Sequence, residues 1–476
     1  MNNLIELYNQ VTSANYVYNL NHQRWMFMLE SYMGGEEYRN ANHLNQYQLE
    51  TEAQYRKRLV TTPLDNHCRS VINVYNSFMF RECPDRDFGS LTNDQMLPEF
   101  LDDADLEGRS LDSVMKDVST WSSVFGHAWV LLSKPNIAAV TKADEIAAGV
   151  RPYISIITPL TVYDWTYQRN AIGKYELTYF KYVDDINEQI TTVIEWYPDK
   201  IITTETNRKD KTIIGQTIDI NELGKIPVVI AYNQRSPVRG VGLSDISDIA
   251  DQQKAIYNEL SEIEQAIRLD GHPSLVAPET AKIGSGAGSI IYMSETMDPG
   301  LKPYLLDHGS ASIDGIWNSI KNRIDSIDKM ANTGAVRASQ SSTLSGVAMQ
   351  TEFQLLNAKL SEKSDNLELA EEQIWKLWAE YQGYTWDGEI EYPGSFAIHD
   401  TMNEFTSLQV AKSAASTPEA LALIDLRIRQ LLEDPRLENE IEEPSELAQY
   451  QVEMAVLANT AVIASSVIPP QPEELD

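Results

Sequence analysis

The sequence predicts an α+β fold that is mainly helical, and three observations carry that prediction. Between residues 124 and 232, short β-branched and aromatic runs alternate with turns. From Ile246 to Ile267 six apolar residues and Gln253 recur in steps of 3, 4, 3, 4, 3, 4, a heptad seam. From about residue 345 to Gln382 a helical pattern runs on without a breaker. At 476 residues the chain exceeds what one hydrophobic core usually covers, so more than one structural unit is expected.

The elements follow in order. Residues 1–33 read as helix, with Leu4, Leu7, Val11, Tyr18 and Trp25 loosely periodic, and Gly34-Gly35 stops the run. Residues 51–80 read as a second helix, its contacts supplied by Tyr55, Leu59, Cys68, Val71, Val74 and Phe78. The acidic, turn-rich stretch from Pro84 to Glu107 is expected to be a loop leading into a helix near 110–122. In the β-textured body the clearest strands are His127–Leu132, Ile154–Ile157, Leu177–Val183, Thr191–Tyr197 and Val228–Tyr232.

From Gly240 the character changes. Ser244 is placed to cap a helix, and Asp245 and Asp248 suit the positive end of its dipole. The seam Ile246, Ile249, Gln253, Ile256, Leu260, Ile263, Ile267 then runs on the order of 36 Å before Gly271 and Pro273 end it. An insert rich in Gly and Pro follows, with one strand at Ser289–Met293. A second helix starts near Ser312 and carries Ile313, Ile316, Ile320, Ile324 and Ile327. Two such helices imply an antiparallel hairpin with a small domain at its tip. Residues 330–345 are small and polar, a mobile loop. Ser345 or Thr343 then caps the long helix, whose apolar positions include Val347, Leu356, Leu360, Leu367, Ile374, Leu377 and Tyr381. Residues 388–398 suggest a returning strand. Helices are expected at Glu404–Ser413, Pro418–Leu432 and Glu446–Ser466.

Composition narrows the function. Asp and Glu total 70 against 38 Lys and Arg, a formal charge of −32, which argues against tight groove binding of DNA while permitting a surface that DNA slides past. Two cysteines, Cys68 and Cys83, make no disulfide framework and suit a reducing cytoplasm. The N-terminus has no basic stretch followed by an apolar core, and no window approaches about 18 uninterrupted apolar residues, so neither a signal peptide nor a membrane span is expected. The seven histidines are scattered without metal-site spacing. His127 lies in an apolar strand and reads as a hydrogen-bonded core residue. Gly284–Gly288 lacks the Lys-Ser/Thr of a phosphate loop. Asp102, Asp103, Asp105 and Glu107 lack the Gly and final Glu of a calcium hand, and Glu371-Glu372 reads as an ordinary exposed helix face. No catalytic, metal or cofactor site is expected.

Several strings, in this order, resemble those of tailed-phage portal proteins. Tyr55-Arg56-Lys57-Arg58-Leu59 with Asn66 and Val71 resembles an early helix of that family. Residues 240–265 resemble its first stem helix, with Ser244, Asp245, Ile249, Gln253, Asn258 and Ser261 at matching places. Gly271-His272-Pro273 resembles the entry to the clip. Residues 341–360, Ser345-Gly346-Val347-Ala348 above all, resemble the tunnel loop running into the tunnel helix, which Ala370–Trp375 continues. The resemblance covers roughly 50–465. It implies N-terminal helices and an α/β wing over 1–243, stem helix 1 over 244–267, a clip over 268–312, stem helix 2 over 313–329, a tunnel loop over 330–345, a tunnel helix returning to the wing over 346–400, and a crown over 401–476.

The function it implies is a ring of twelve subunits at one capsid vertex, assembled in the host cytoplasm and carried in the virion. That ring would be the channel for DNA packaging and ejection. Implied partners are other copies of the chain, the terminase motor, head–tail adaptor proteins, major capsid and scaffold proteins, and double-stranded DNA passing through without sequence specificity; no membrane is involved. The acidic bore would repel DNA, and a few bases would make weak phosphate contacts: Lys321, Arg323 and Lys329 on the second stem helix, and Arg337 with Gln340 in the polar loop, pointing to the axis. Each base has a competing role as a salt bridge to acids such as Asp314, Asp325 and Asp328. A ring would also give partners to Ala255, Tyr257 and Ala266 beside the seam. The alternatives are another ring-forming connector or scaffold protein, or a nucleic-acid enzyme.

Overall fold

A computed structural model describes residues 2–135, 142–187, 189–271, 274–276, 304–306, 311–337, 346–396 and 401–414, with a few positions between 421 and 428. The chain divides into two units, Met1–Phe396 and Ala397–Asp476.

The expected first helix is two, α1 (Asn2–Thr12) and α2 (Tyr16–Met33). Asn15 ends the first and caps the second, its side chain accepting from Tyr18 N at 2.7 Å. Gly34 and Gly35 stop α2 at positive φ, and the short α3 (Gly35–Asn40) follows. The expected helix 51–80 is also divided, into α4 (Glu52–Thr61) and α5 (His67–Met79). Pro63 is the cause: it forces Thr62 into an extended conformation, ψ 124°, and Asn66 starts the next helix by accepting from Arg69 N at 2.8 Å.

The stretch expected to be a loop is structured. It holds β1 (Asp85–Asp87), a 3₁₀ turn at Gly89–Asn93 and α6 (Leu97–Asp102) before α7 (Leu111–Phe125). Its acids are tied down: Arg151 pairs with Asp103 at 3.0 Å, and Asp105 takes the Arg109 guanidinium.

The body holds β2 (His127–Ser133), α8 (Lys142–Ala147), β3 (Tyr153–Ile157), β4 (Val162–Arg169), β5 (Tyr175–Ile186), β6 (Ile190–Trp196), β7 (Lys200–Asn207), β8 (Thr212–Ile220) and β9 (Val228–Tyr232). All five expected strands are present, and β4, β7 and β8 are additional. Two antiparallel sheets result, in the orders β3-β2-β9 and β4-β5-β6-β7-β8. The central β2 is buried on nearly every residue, which explains its unbroken apolar run. The sheets meet where Trp129 of β2 lies against Trp165 of β4 and Phe180 of β5, ring centroids 5.7 and 5.1 Å apart. His127 is fully buried, and its Nδ1 accepts from Gly242 N at 3.3 Å.

The hairpin consists of α9 (Ser247–Gly271) and α10 (Ala311–Ala331), which pack together. In the insert, β10 (Ser274–Val276) pairs antiparallel with β11 (Tyr304–Leu306); Ser289–Met293 and Gly284–Gly288 lie outside the described residues. A helical turn, α11 (Gly334–Arg337), occupies part of the expected polar loop, whose remainder, with Thr343 and Ser345, lies outside them. Helix α12 (Gly346–Gln382) has 37 residues, about 55 Å of helix. Strand β12 (Glu389–Glu391) then pairs with β1, closing a sheet across most of the first unit. The second unit has α13 (Thr401–Ala414); the helices expected at Pro418–Leu432 and Glu446–Ser466 lie largely or wholly outside the described residues.

Candidate functional site: a charged hairpin with a buried root

Along α9 the seam residues Ile249, Gln253, Ile256, Leu260 and Ile263 are buried, as is Ile246 just before the helix, while Ile267 is half-exposed at 51%. The aliphatic members join one core with Ile320 and Ile327 of α10. Gln253, the polar member, accepts from Cys68 N at 2.9 Å and donates to Ser31 O at 2.9 Å. It therefore fixes the hairpin to α2 and α5. Tyr257 corrects an expectation: it is fully buried against Tyr38, Leu44 and Tyr55 of its own chain, so no neighbour is needed to cover it.

The four described bases separate into two kinds. Lys321 and Lys329 are exposed on α10, on the face that carries Asp314, Asn318 and Asp325. Arg323 is engaged: its Nε donates to Glu259 Oε1 at 2.9 Å, and its Nη1 to Gln252 Oε1 at 3.0 Å, so it braces α10 to α9. Arg337 pairs with Asp328 at 2.7 Å and donates from Nη2 to His67 Nδ1 at 2.9 Å. Burial and the Arg337 charge both push the His67 pKa down, which keeps that ring a neutral acceptor. Gln340 lies outside the described residues.

The root of the hairpin holds a cluster that sequence reasoning missed. Asp245 was expected to complement a helix dipole; instead its buried carboxylate takes Lys363 Nζ at 2.6 Å and Lys359 Nζ at 3.1 Å, both from α12. Lys363 also donates to Ser123 Oγ at 2.8 Å and to Asn233 Oδ1, giving its ammonium three acceptors. Both ammonium groups lie over the Tyr75 ring. Burial would raise the Asp245 pKa, but the two lysines and the hydrogen bonds hold it down at about 2. Burial pushes Lys363 down against the pull of Asp245, while Asp245 holds Lys359 up despite its burial. Ser244 accepts from Ile246 N at 3.1 Å rather than from the first turn of α9, and donates to Val124 O at 2.6 Å. Close approach here requires glycine: Gly126 has φ +90°, and a Cβ on it would lie 2.4 Å from Gly242 O.

A second buried pair corrects the reading of Glu371. It is fully buried, not exposed, and takes Arg86 Nε at 2.6 Å, Trp375 Nε1 at 3.1 Å and the Tyr392 hydroxyl. Glu372 does face outward, pairing with Lys376 one turn on. The signal for Lys363 and Glu371 was in the pattern: both fall within the stripe Leu356, Leu360, Leu367, Ala370, Ile374, where a charge must find a partner. Which partner could not be read, because Asp245 is more than a hundred residues away.

Among the described residues no group of three or more His, Cys, Asp or Glu is arranged to hold a metal ion, and no helix is long and apolar enough to cross a membrane. A surface cleft of about 510 Å³ between α4 and α9 is lined by Tyr47, Gln54, Lys57 and Gln265, with Arg58 and Glu50 paired to each other at 2.7 Å.

The family model described as phage portal protein, SPP1 Gp6-like, matches residues 13–420. The chain belongs to that family. It is thus a portal-type structural protein of the phage particle rather than an enzyme family member. No curated protein sequence matches it. Among solved structures, a chain of the virion of a native gene transfer agent particle is 10% identical, with a TM-score of 0.41, covering 75% of this chain and 89% of that one. A chain from the neck of an empty gene transfer agent particle is 9% identical, with a TM-score of 0.44, covering 80% and 95%.

Proposed function

We propose that the chain forms a ring of twelve subunits at one capsid vertex, through which double-stranded DNA is packaged and later ejected. In this reading residues 1–243 are the wing, 244–267 and 313–329 the stem, 268–312 the clip, 330–345 the tunnel loop, 346–400 the tunnel helix and its return, and 401–476 the crown. The clip docks the terminase motor first and head–tail adaptors later; major capsid and scaffold proteins surround the ring.

The observation that carries the reading is the α9–α10 hairpin of a portal-family chain. It is fixed at its root by a buried charge cluster, and α10 keeps an outward face of alternating charge. A channel wall needs such a face: weakly interacting, without a continuous cationic track that would hold phosphates. Lys321 and Lys329 are the channel bases of this proposal, with Gln340 on the tunnel loop, while Arg323 and Arg337 brace the subunit.

Negative-stain microscopy of the purified protein tests the ring. Particles with a central hole and twelvefold symmetry support it; a poreless globule or dimer at high concentration as well as low removes it. For the channel, Lys321→Glu with Lys329→Glu is expected to leave rings intact and lower the amount of DNA packaged several-fold, because two charges per subunit are reversed. Normal packaging by intact mutant rings would remove both lysines from the channel.

A further inference from the structure

A cluster of unpaired arginines lies on the β4–β5 hairpin and the loop after β9. Arg239 stacks on the Tyr175 ring with its guanidinium carbon 3.6 Å from the centroid, and Arg169 lies 4.8 Å from the same centroid. Arg239 also lies 5.7 Å from the Tyr167 ring, and Arg235 lies 5.4 Å from Tyr232. All three arginines are exposed, as is Lys174 in the hairpin turn. None of the three is ion-paired among the described residues, although acids outnumber bases 70 to 38 in this chain. Elsewhere Arg58, Arg86, Arg109, Arg151, Arg323 and Arg337 each sit against a carboxylate. Glu176, an acid on the same hairpin, accepts from Asn170 Nδ2 at 2.8 Å.

The face is also tied down by hydrogen bonds. Trp165 Nε1 donates to Arg239 O at 3.4 Å, Gly240 N donates to the Tyr232 hydroxyl at 3.2 Å, and Ser236 Oγ donates to Val241 O at 2.7 Å. Gly240 has φ +81°, and a Cβ there would meet Trp165 Nε1 at 2.1 Å. On the other side Asn170 Oδ1 accepts from Ile172 N and Lys174 N, shaping the turn. Arginines stacked on tyrosines, two of them also hydrogen-bonded to the Tyr175 side chain, have little entropy left to lose, the make-up of a binding hot spot.

We propose that this face, Arg169, Arg235 and Arg239 over Tyr167, Tyr175 and Tyr232, binds carboxylates on a second copy of this chain. Charge complementarity selects the occupant: at −32 per copy, each neighbour offers an excess of acids. The flanking Ile172 and Val238, 86% and 48% exposed, favour a protein surface over a nucleic acid. A patch meeting a different surface on the next copy makes a head-to-tail contact, the kind that closes rings. The proposal rests on the ring reading and names one of its contacts.

The test is mass photometry of the full chain over a concentration series at low and high salt, with Arg169→Glu and Arg239→Glu combined. The expected result is assembly of the unsubstituted chain, weakened by salt, and assembly of the variant only at roughly tenfold or higher concentration. Arg169→Gln with Arg239→Gln, which leaves the tyrosines in place, should shift assembly in the same direction without reversing charge, and so reads the contact independently of any folding defect. Variants that assemble at the same concentration as the unsubstituted chain overturn this face while leaving the ring intact. A chain that stays monomeric at every concentration overturns the ring, and this contact with it. Retardation of duplex DNA by the unsubstituted chain but not by the variants would overturn the assignment to a second copy and give the face to nucleic acid.

Discussion

Lys363 is a full charge placed where water cannot reach it, and it is tolerated because Asp245, Asn233 and Ser123 supply three acceptors. Removing the acid is therefore expected to cost more than removing the pair. Asp245→Asn leaves two lysines uncompensated and should destabilise the fold by about 3–5 kcal/mol in denaturant titrations. Asp245→Asn combined with Lys363→Met should cost less than Asp245→Asn alone; equal or larger loss in the double variant would show that the pair is worth more than its desolvation. The pH sign follows from the depressed carboxyl. With a folded pKa of about 2, the stabilisation by Asp245 is complete above its unfolded value of about 4 and is lost as pH falls through about 2. His127 behaves alike for a different reason: burial alone pushes its pKa down to about 3. The folded ring stays neutral while the unfolded one protonates below about 6.5, so stability falls as pH drops from there toward 3. His127→Asn, which keeps an acceptor for Gly242 N–H, is expected to flatten that slope, and an unchanged pH profile would contradict it.

At the level of elements, local patterns were legible and partners were not. The heptad steps located α9, and the isoleucines located α10, because both signals come from neighbouring residues on one helix. The same steps could not say that Gln253 sits against Cys68 and Ser31, since a polar residue in a seam also fits a register marker. Gln253→Leu keeps the volume and should cost about 1–3 kcal/mol for each of the two backbone groups it leaves unpaired. Faster hydrogen exchange at the Cys68 amide is the accompanying signature, and protection equal to the unsubstituted protein would remove Gln253 from that role. The division of 51–80 was legible in Pro63 and was overlooked because the apolar spacing continues across it. β1 and β12 were illegible for a physical reason: three-residue strands carry almost no periodicity, and their pairing joins Asp85–Asp87 to residues about three hundred positions on.

For the whole molecule, the order of parts was readable because each part has its own texture, while the packing that makes Met1–Phe396 one unit depends on contacts between distant segments. The buried apolar residues described, from Val11 to Phe396, fall within that unit. A chain ending at Phe396 is expected to unfold cooperatively, with the denaturant midpoint of the full-length protein's first unit; a broad, non-cooperative transition would contradict that. The Asp245–Lys359–Lys363 cluster has a consequence of another kind, in descent. Three positions spread over 245–363 are bound to one another so that a lone change at the aspartate strands two charges. Drift at this site must therefore proceed through paired or triple replacements. Across diverging lineages the three should vary together or not at all, marking the root of the hairpin as a slow clock of this molecule.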